Sequence, residues 1–161
     1  MYDILTLQAW IRALYDVNNH GSGSRLWIEP YSYTMTFTAL AAVAGTQTQA
    51  LAINANADFV CTRISYTAVL GTAQNVSTKP VAQVRALLTD AGSSRPFFNQ
   101  ATALENFASN EFPNRFLPYP RWLAANTTIT GQLTGYGTAA ETYTIDLCLD
   151  GVAVRQYSAP M

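Results

Sequence analysis

Three stretches of this chain alternate apolar and polar residues one by one, a pattern that suits an extended strand with a single buried face. Tyr31, Tyr33, Met35 and Phe37 interleave with Ser32, Thr34, Thr36 and Thr38, and Tyr143, Ile145, Leu147 and Leu149 interleave with Thr144, Asp146, Cys148 and Asp150. Ile129, Gly131 and Leu133 alternate in the same way with Thr128, Thr130, Gln132 and Thr134. Such strands are half-buried and antiparallel, so the chain reads as a β-sandwich or barrel whose outer surface carries the function.

At 161 residues, 49% of them hydrophobic, the chain can bury one sizeable core, and a single β domain is expected. Nine basic residues against ten acidic ones leave a net charge of −1, which argues against a nucleic-acid backbone as partner. Charged side chains are sparse and Thr, Ser, Asn and Gln are plentiful. A neutral solvent face of this kind suits a surface that other subunits cover, so a homo-oligomer, dimer or trimer, is expected. No apolar run approaches a membrane span, and Asp3 with no preceding basic residue argues against a secretory leader.

The strand pattern breaks over residues 2 to 17, where Ile4, Leu7, Ile11 and Leu14 recur at three- and four-residue steps and Trp10 and Val17 widen the stripe. This predicts a short amphipathic helix. Asn18 to Ser24, including His20, Gly21 and Gly23, follow as a flexible connector, giving an arm over residues 1–24 and a sandwich over 25–161. The helix either docks on a neighbouring subunit or packs back on its own body as a lid. Both readings stand on sequence alone, because a helix this short needs a partner for its apolar face.

Along the body, Arg25 to Glu29 forms a first extended piece before Pro30, and Tyr31 to Leu40 a first full strand. Further strands are expected near residues 47–54, 59–69, 81–89, 127–134 and 142–149. Turns fall at Asn54 to Asp58, Asp90 to Ser94 and Gly135 to Ala140. Between Ser94 and Trp122 alternation fails, and Pro96, Pro113, Pro118 and Pro120 mark a long aromatic excursion. Seven or eight strands with one long crossing connection favour a jelly-roll sandwich over an immunoglobulin-like one.

Residues that could form a catalytic constellation are few. His20 is the only histidine and sits in the connector, which argues against a serine triad and a metal-binding cupin site. Asn54, Asn56 and Asp58 imitate the start of a calcium loop, but Phe59 stands where glycine is needed and Ser65 where the bidentate glutamate belongs. An Asx turn accounts for them. Asp146 and Asp150, about 13 Å apart along a strand, are too distant for a hydrolytic pair and read as a solvated face. By parity Cys61 shares a face with Arg63 and Ser65, and Cys148 with Asp146 and Asp150, so both read as edge or interface thiols. Trp27, Tyr119 and Trp122, in proline-flanked extended segments, offer a possible sugar-stacking platform. Sequons at Asn75 and Asn126 are weak patterns in a sequence that shows no secretory signal. No enzyme activity, cofactor or metal is expected.

One ordered series of segments resembles a known group. Ala57-Asp58-Phe59-Val60, Leu88-Thr89-Asp90-Ala91-Gly92-Ser93, Phe98-Asn99-Gln100, Leu104-Glu105-Asn106, Phe116-Leu117-Pro118-Tyr119-Pro120-Arg121 and Ala125-Asn126-Thr127-Thr128-Ile129 are similar, in order and spacing, to small virion proteins of tailed bacteriophages. The resemblance spans roughly residues 31 to 155. It implies a structural role on the virion: a β-sandwich that binds the head shell as cement or decoration, with the major capsid protein or another virion protein as partner, or that serves at a tail or vertex. The arm lies outside the matching region. Assembly contacts are expected from Ile4, Leu7, Trp10, Ile11 and Leu14 on the helix and from Phe112, Phe116, Tyr119 and Trp122 on the aromatic excursion.

Overall fold

A computed structural model describes residues 4–17, 25–71, 81–108 and 116–157. Helix α1 spans Ile4–Val17. The strands are β1 (Arg25–Ala41), β2 (Val43–Ala52), β3 (Asp58–Leu70), β4 (Val84–Asp90), β5 (Arg95–Pro96), β6 (Thr102–Ala103), β7 (Phe116–Leu123), β8 (Thr128–Tyr136) and β9 (Thr142–Tyr157). A single turn of 3-10 helix, Leu104–Asn106, follows β6.

The strands form two antiparallel sheets, one in the order β1-β9-β3-β7 and the other in the order β2-β8-β4-β5, with β6 also on the outer side of β4. Their inner faces enclose one core. Met35, Phe37 and Leu40 of β1, Phe59, Ile64 and Tyr66 of β3, and Tyr143 to Leu149 at every second residue of β9 meet Val84, Ala86 and Leu88 of β4 and Ile129 and Leu133 of β8. The alternation read from sequence is therefore the alternation of core and solvent, and the molecule is an all-β sandwich with one short helix.

The chain changes sheet between β1 and β2 through a corner at Ala42. A register break interrupts β1 between Phe37 and Leu40 and another interrupts β2 between Val43 and Thr46, with Ala39 at φ 53 and Ala44 at φ 52. Such bulges bend a strand sharply enough to turn it onto the opposite layer. β8 passes so close beneath the corner that a side chain at Gly135 would run into the carbonyls of Ala41 and Ala42.

Several boundaries differ from those the sequence suggests. β1 runs unbroken through Pro30, which pairs with Val152, because β1 is a sheet edge where one side of the backbone has no ladder to serve. The excursion between Ser94 and Trp122 contains strands after all, the two-residue β5 and β6 beside β4 and the longer β7. β7, with Pro118 and Pro120, pairs with β3 as the other edge of the same sheet, where proline is again tolerated. β9 extends past Leu149 to Tyr157 through Gly151, whose missing side chain leaves room for the Val60 carbonyl of β3.

Candidate functional site

The outer face of the β1-β9-β3-β7 sheet divides into an apolar end and a polar ladder. At the apolar end Leu7 and Ile11 of α1 pack on Val60 and Val154, with Leu26, Ile28, Val152 and Trp122 around them. Ile11 is fully buried and the Trp10 ring lies 6.5 Å from that of Trp122. Of the two readings of the helix, the structure takes the lid. Leu7 and Ile11 are thus spent on the chain's own sheet rather than turned toward a neighbouring subunit, and Trp122 is half-buried at the same contact. Leu14 is half-buried, and Leu5, 68% exposed, lies on the outer side of the helix. The side chains of Ile4 and Val17, the connector with His20, Phe112, Pro113 and the Asn75 sequon lie outside the described residues.

The polar end is organised by Asp150. Its carboxylate accepts hydrogen bonds from Ser32 Oγ at 2.6 Å, Arg63 Nη2 at 2.7 Å and Nε at 2.9 Å, Ser65 Oγ at 3.0 Å and Cys148 Sγ at 3.3 Å. Burial works to raise its pKa, but the hydrogen bonds from Ser32, Arg63, Cys148 and Ser65 outweigh it and hold the group below the usual value. Thr36 donates to Asp146 one step further along, at 2.6 Å. The solvated face expected for Asp150 is therefore a three-strand network whose acceptors are already engaged. Sequence reading missed it because Arg63 and Asp150 stand 87 residues apart. The available signal was parity: Ser32, Ser65 and Asp150 each fall on the outer face of a neighbouring strand.

The two thiols part company. Cys148 sits on the outer face as parity indicates, but Cys61 is buried in the core, because the register of β3 breaks between Cys61 and Arg63 and shifts the alternation by one. The reading of Cys61 as an edge or interface thiol is corrected accordingly. Burial pushes its pKa up to about 12. Both cysteines are free thiols.

Asn54 to Asp58 forms the Asx turn: Asn54 Oδ1 accepts the Asn56 N–H at 2.9 Å, and Asp58 Oδ1 turns aside to accept Ala125 N–H at 2.7 Å. Beside it, at the β7 edge, a cleft of about 500 Å³ lies between the Asp90–Ser93 turn and Pro120 to Ala124. Its polar groups are largely turned inward. Asp90 caps its own turn through Gly92 N–H and Ser93 Oγ, and Arg121 donates to the Pro96 and Phe97 carbonyls at 3.2 and 2.9 Å while covering the Phe97 ring. Arg121 thereby joins the edges of the two sheets.

Of the aromatic residues singled out from sequence, Phe116 is half-buried and in register with Arg63, while Tyr119 projects from β7 with 83% of its surface exposed. Trp27, 58% exposed, stands on β1. β1 and β7 are opposite edges of one sheet, so Trp27 and Tyr119 stand three strand spacings, at least about 14 Å, apart, and Trp122 is taken up by α1. The three do not form one platform. Trp27 has other neighbours: its indole N–H donates to Glu29 at 3.2 Å, and Glu29 pairs with Arg155 at 2.9 Å.

Comparison with protein families, curated proteins and solved structures finds no match to this chain.

Proposed function

We propose that the chain is a bacteriophage virion structural protein of the cement or decoration type, which binds across neighbouring capsid subunits on the head shell and acts by burying surface rather than by catalysis. The observation that carries this reading is the β7 edge. The segment Phe116 to Arg121, part of the series that resembles virion proteins, presents Tyr119 between Pro118 and Pro120 on an edge tied to the opposite sheet by Arg121. A projecting aromatic on a backbone stiffened by prolines loses little freedom on binding, the property of an interface anchor. The strand orders β1-β9-β3-β7 and β2-β8-β4-β5, with sheet changes at β1 to β2, β2 to β3, β3 to β4, β6 to β7, β7 to β8 and β8 to β9, support reading the sandwich as a jelly roll.

Counting copies of the polypeptide in purified particles tests the proposal. Hundreds of copies place it on the shell, a few or a dozen at a tail or vertex, and none removes the virion reading. Tyr119→Ala is expected to weaken particle binding about tenfold while the protein stays folded. A second reading, a carbohydrate-binding module on a host-surface glycan, draws on Trp27 beside the Glu29–Arg155 pair, a ring face with hydrogen-bonding groups next to it. Glycan-array binding abolished by Trp27→Ala would favour that reading.

A further inference from the structure

A sheet edge exposes one row of backbone N–H and C=O groups, and folded proteins ordinarily guard such rows with proline, charge or a covering element. β1, β2 and β7 are the edge strands here longer than two residues. β1 carries Arg25, Glu29 and Pro30, and β7 carries Pro118, Pro120 and Arg121. β2, reading Val-Ala-Gly-Thr-Gln-Thr-Gln-Ala-Leu-Ala, has neither charge nor proline, and β8 is the one strand that pairs with it among the described residues.

The hydrogen-bond parity of β2 follows from its neighbours. Ile53 N–H donates to the Thr127 carbonyl, and Ala91 N–H to the Thr128 carbonyl, so Thr128 and every second residue after it serve β4, and Ile129, Gly131 and Leu133 serve β2. Their partners are Leu51, Gln49 and Gln47. Thr46, Thr48, Ala50 and Ala52 therefore point their backbone groups away from the sheet. The side-chain hydroxyls of Thr46 and Thr134 approach to 3.2 Å, as befits a pair that shares no backbone hydrogen bonds. The bulge before Thr46 and the turn after Ile53 bound this free row at both ends.

We propose that β2 pairs antiparallel with β2 of a second copy of this chain about a two-fold axis at Gln49. The row Thr46, Thr48, Ala50, Ala52 is symmetric about Gln49, so the two copies match over its whole length: Thr48 faces Ala50 of the second copy, Thr46 faces Ala52, and Gln49 faces Gln49. About eight inter-chain hydrogen bonds result, two per facing pair. The occupant is a second copy because every position is compatible with its own mate. Each threonine meets a small alanine, amide meets amide at the axis, and no charge faces its like. The dimer carries the β2-β8-β4 sheet across the axis. It does not depend on the virion reading.

Light scattering of the full chain over a concentration series should show a mass rising from 17.5 kDa toward twice that value. Gln49→Lys, at an exposed position, sets two ammonium groups against each other at the axis and should weaken association at least tenfold while the monomer stays folded, with its circular-dichroism spectrum unchanged. Ala50→Pro removes an N–H that serves no internal ladder and should do the same. In a Cys148→Ser background, Gln49→Cys should give a disulfide-linked dimer on mild oxidation, whereas Gln47→Cys, which would face Leu51, should not. A chain that stays monomeric throughout without the Gln49→Cys link overturns the proposal. A dimer or trimer that survives Gln49→Lys with undiminished affinity overturns it equally, and that result stands even if Ala50→Pro fails to fold.

Discussion

Asp150 is a carboxylate whose hydrogen-bond partners all reach it along or across strands. Its pKa is depressed in the folded state, so the stability it contributes is complete above the unfolded value of 3.8 and is lost as pH falls through the lower folded value. Asp150→Asn keeps the shape but leaves Arg63, 27% exposed, without its countercharge, and should cost about 2 kcal/mol at neutral pH. Urea titrations should show the gap between wild type and variant closing as pH drops below the unfolded value. Cys61 gives the opposite sign. Burial lifts its folded pKa from 9.0 to about 12, so its contribution is whole below pH 9.0 and declines as pH rises toward the folded value. Alkylation at pH 8 should therefore modify Cys148 slowly and Cys61 hardly at all in the folded protein, with both reacting fully in urea. Mass spectrometry of the modified peptides distinguishes the two.

At the scale of elements, α1 is held by few side chains, and Ile11 is the deepest of them. Ile11→Asp should release the helix and expose Ile28, Val60, Val152 and Val154, raising dye binding at the freed patch and changing the fluorescence of Trp122, while the sheet signature in circular dichroism persists. The helix itself was legible because Ile4, Leu7, Ile11 and Leu14 keep a helical period. Its partner was not, since the apolar stripe shows that a face must be covered but not by what, and the covering residues Val60, Val152 and Val154 come from strands distant in sequence. β1, β8 and β9 were legible for the same kind of reason, because one buried face imposes alternation. β7 was hidden by two prolines that an edge strand tolerates, and Cys61 was misplaced because a bulge breaks parity without leaving a residue signature. The Asp150 network needed three strands in register, which alternation within each strand cannot supply.

At the scale of the whole molecule, the sandwich is closed differently at its two sides. On one side Arg121 spans from β7 to the carbonyls beside β5, and on the other the chain itself crosses at Ala42 between two bulges. Arg121→Met retains length but loses two hydrogen bonds and the cation over Phe97, and should lower stability by about 2 kcal/mol in denaturant titrations. It should also speed hydrogen exchange around Pro96 and Phe97 more than in β9, because that side then opens locally. One further consequence lies in the position of β9. This strand sits between β1 and β3, yet among the described residues it is the last strand in sequence. On a translating ribosome β1 and β3 therefore emerge with a strand-wide gap between them, and their apolar inner faces and unpaired backbones wait for residues 142 to 157. Folding of this sheet therefore waits on β9: nascent chains halted before Thr142 should remain protease-sensitive throughout, and protection should arrive in one step once β9 is free of the exit tunnel.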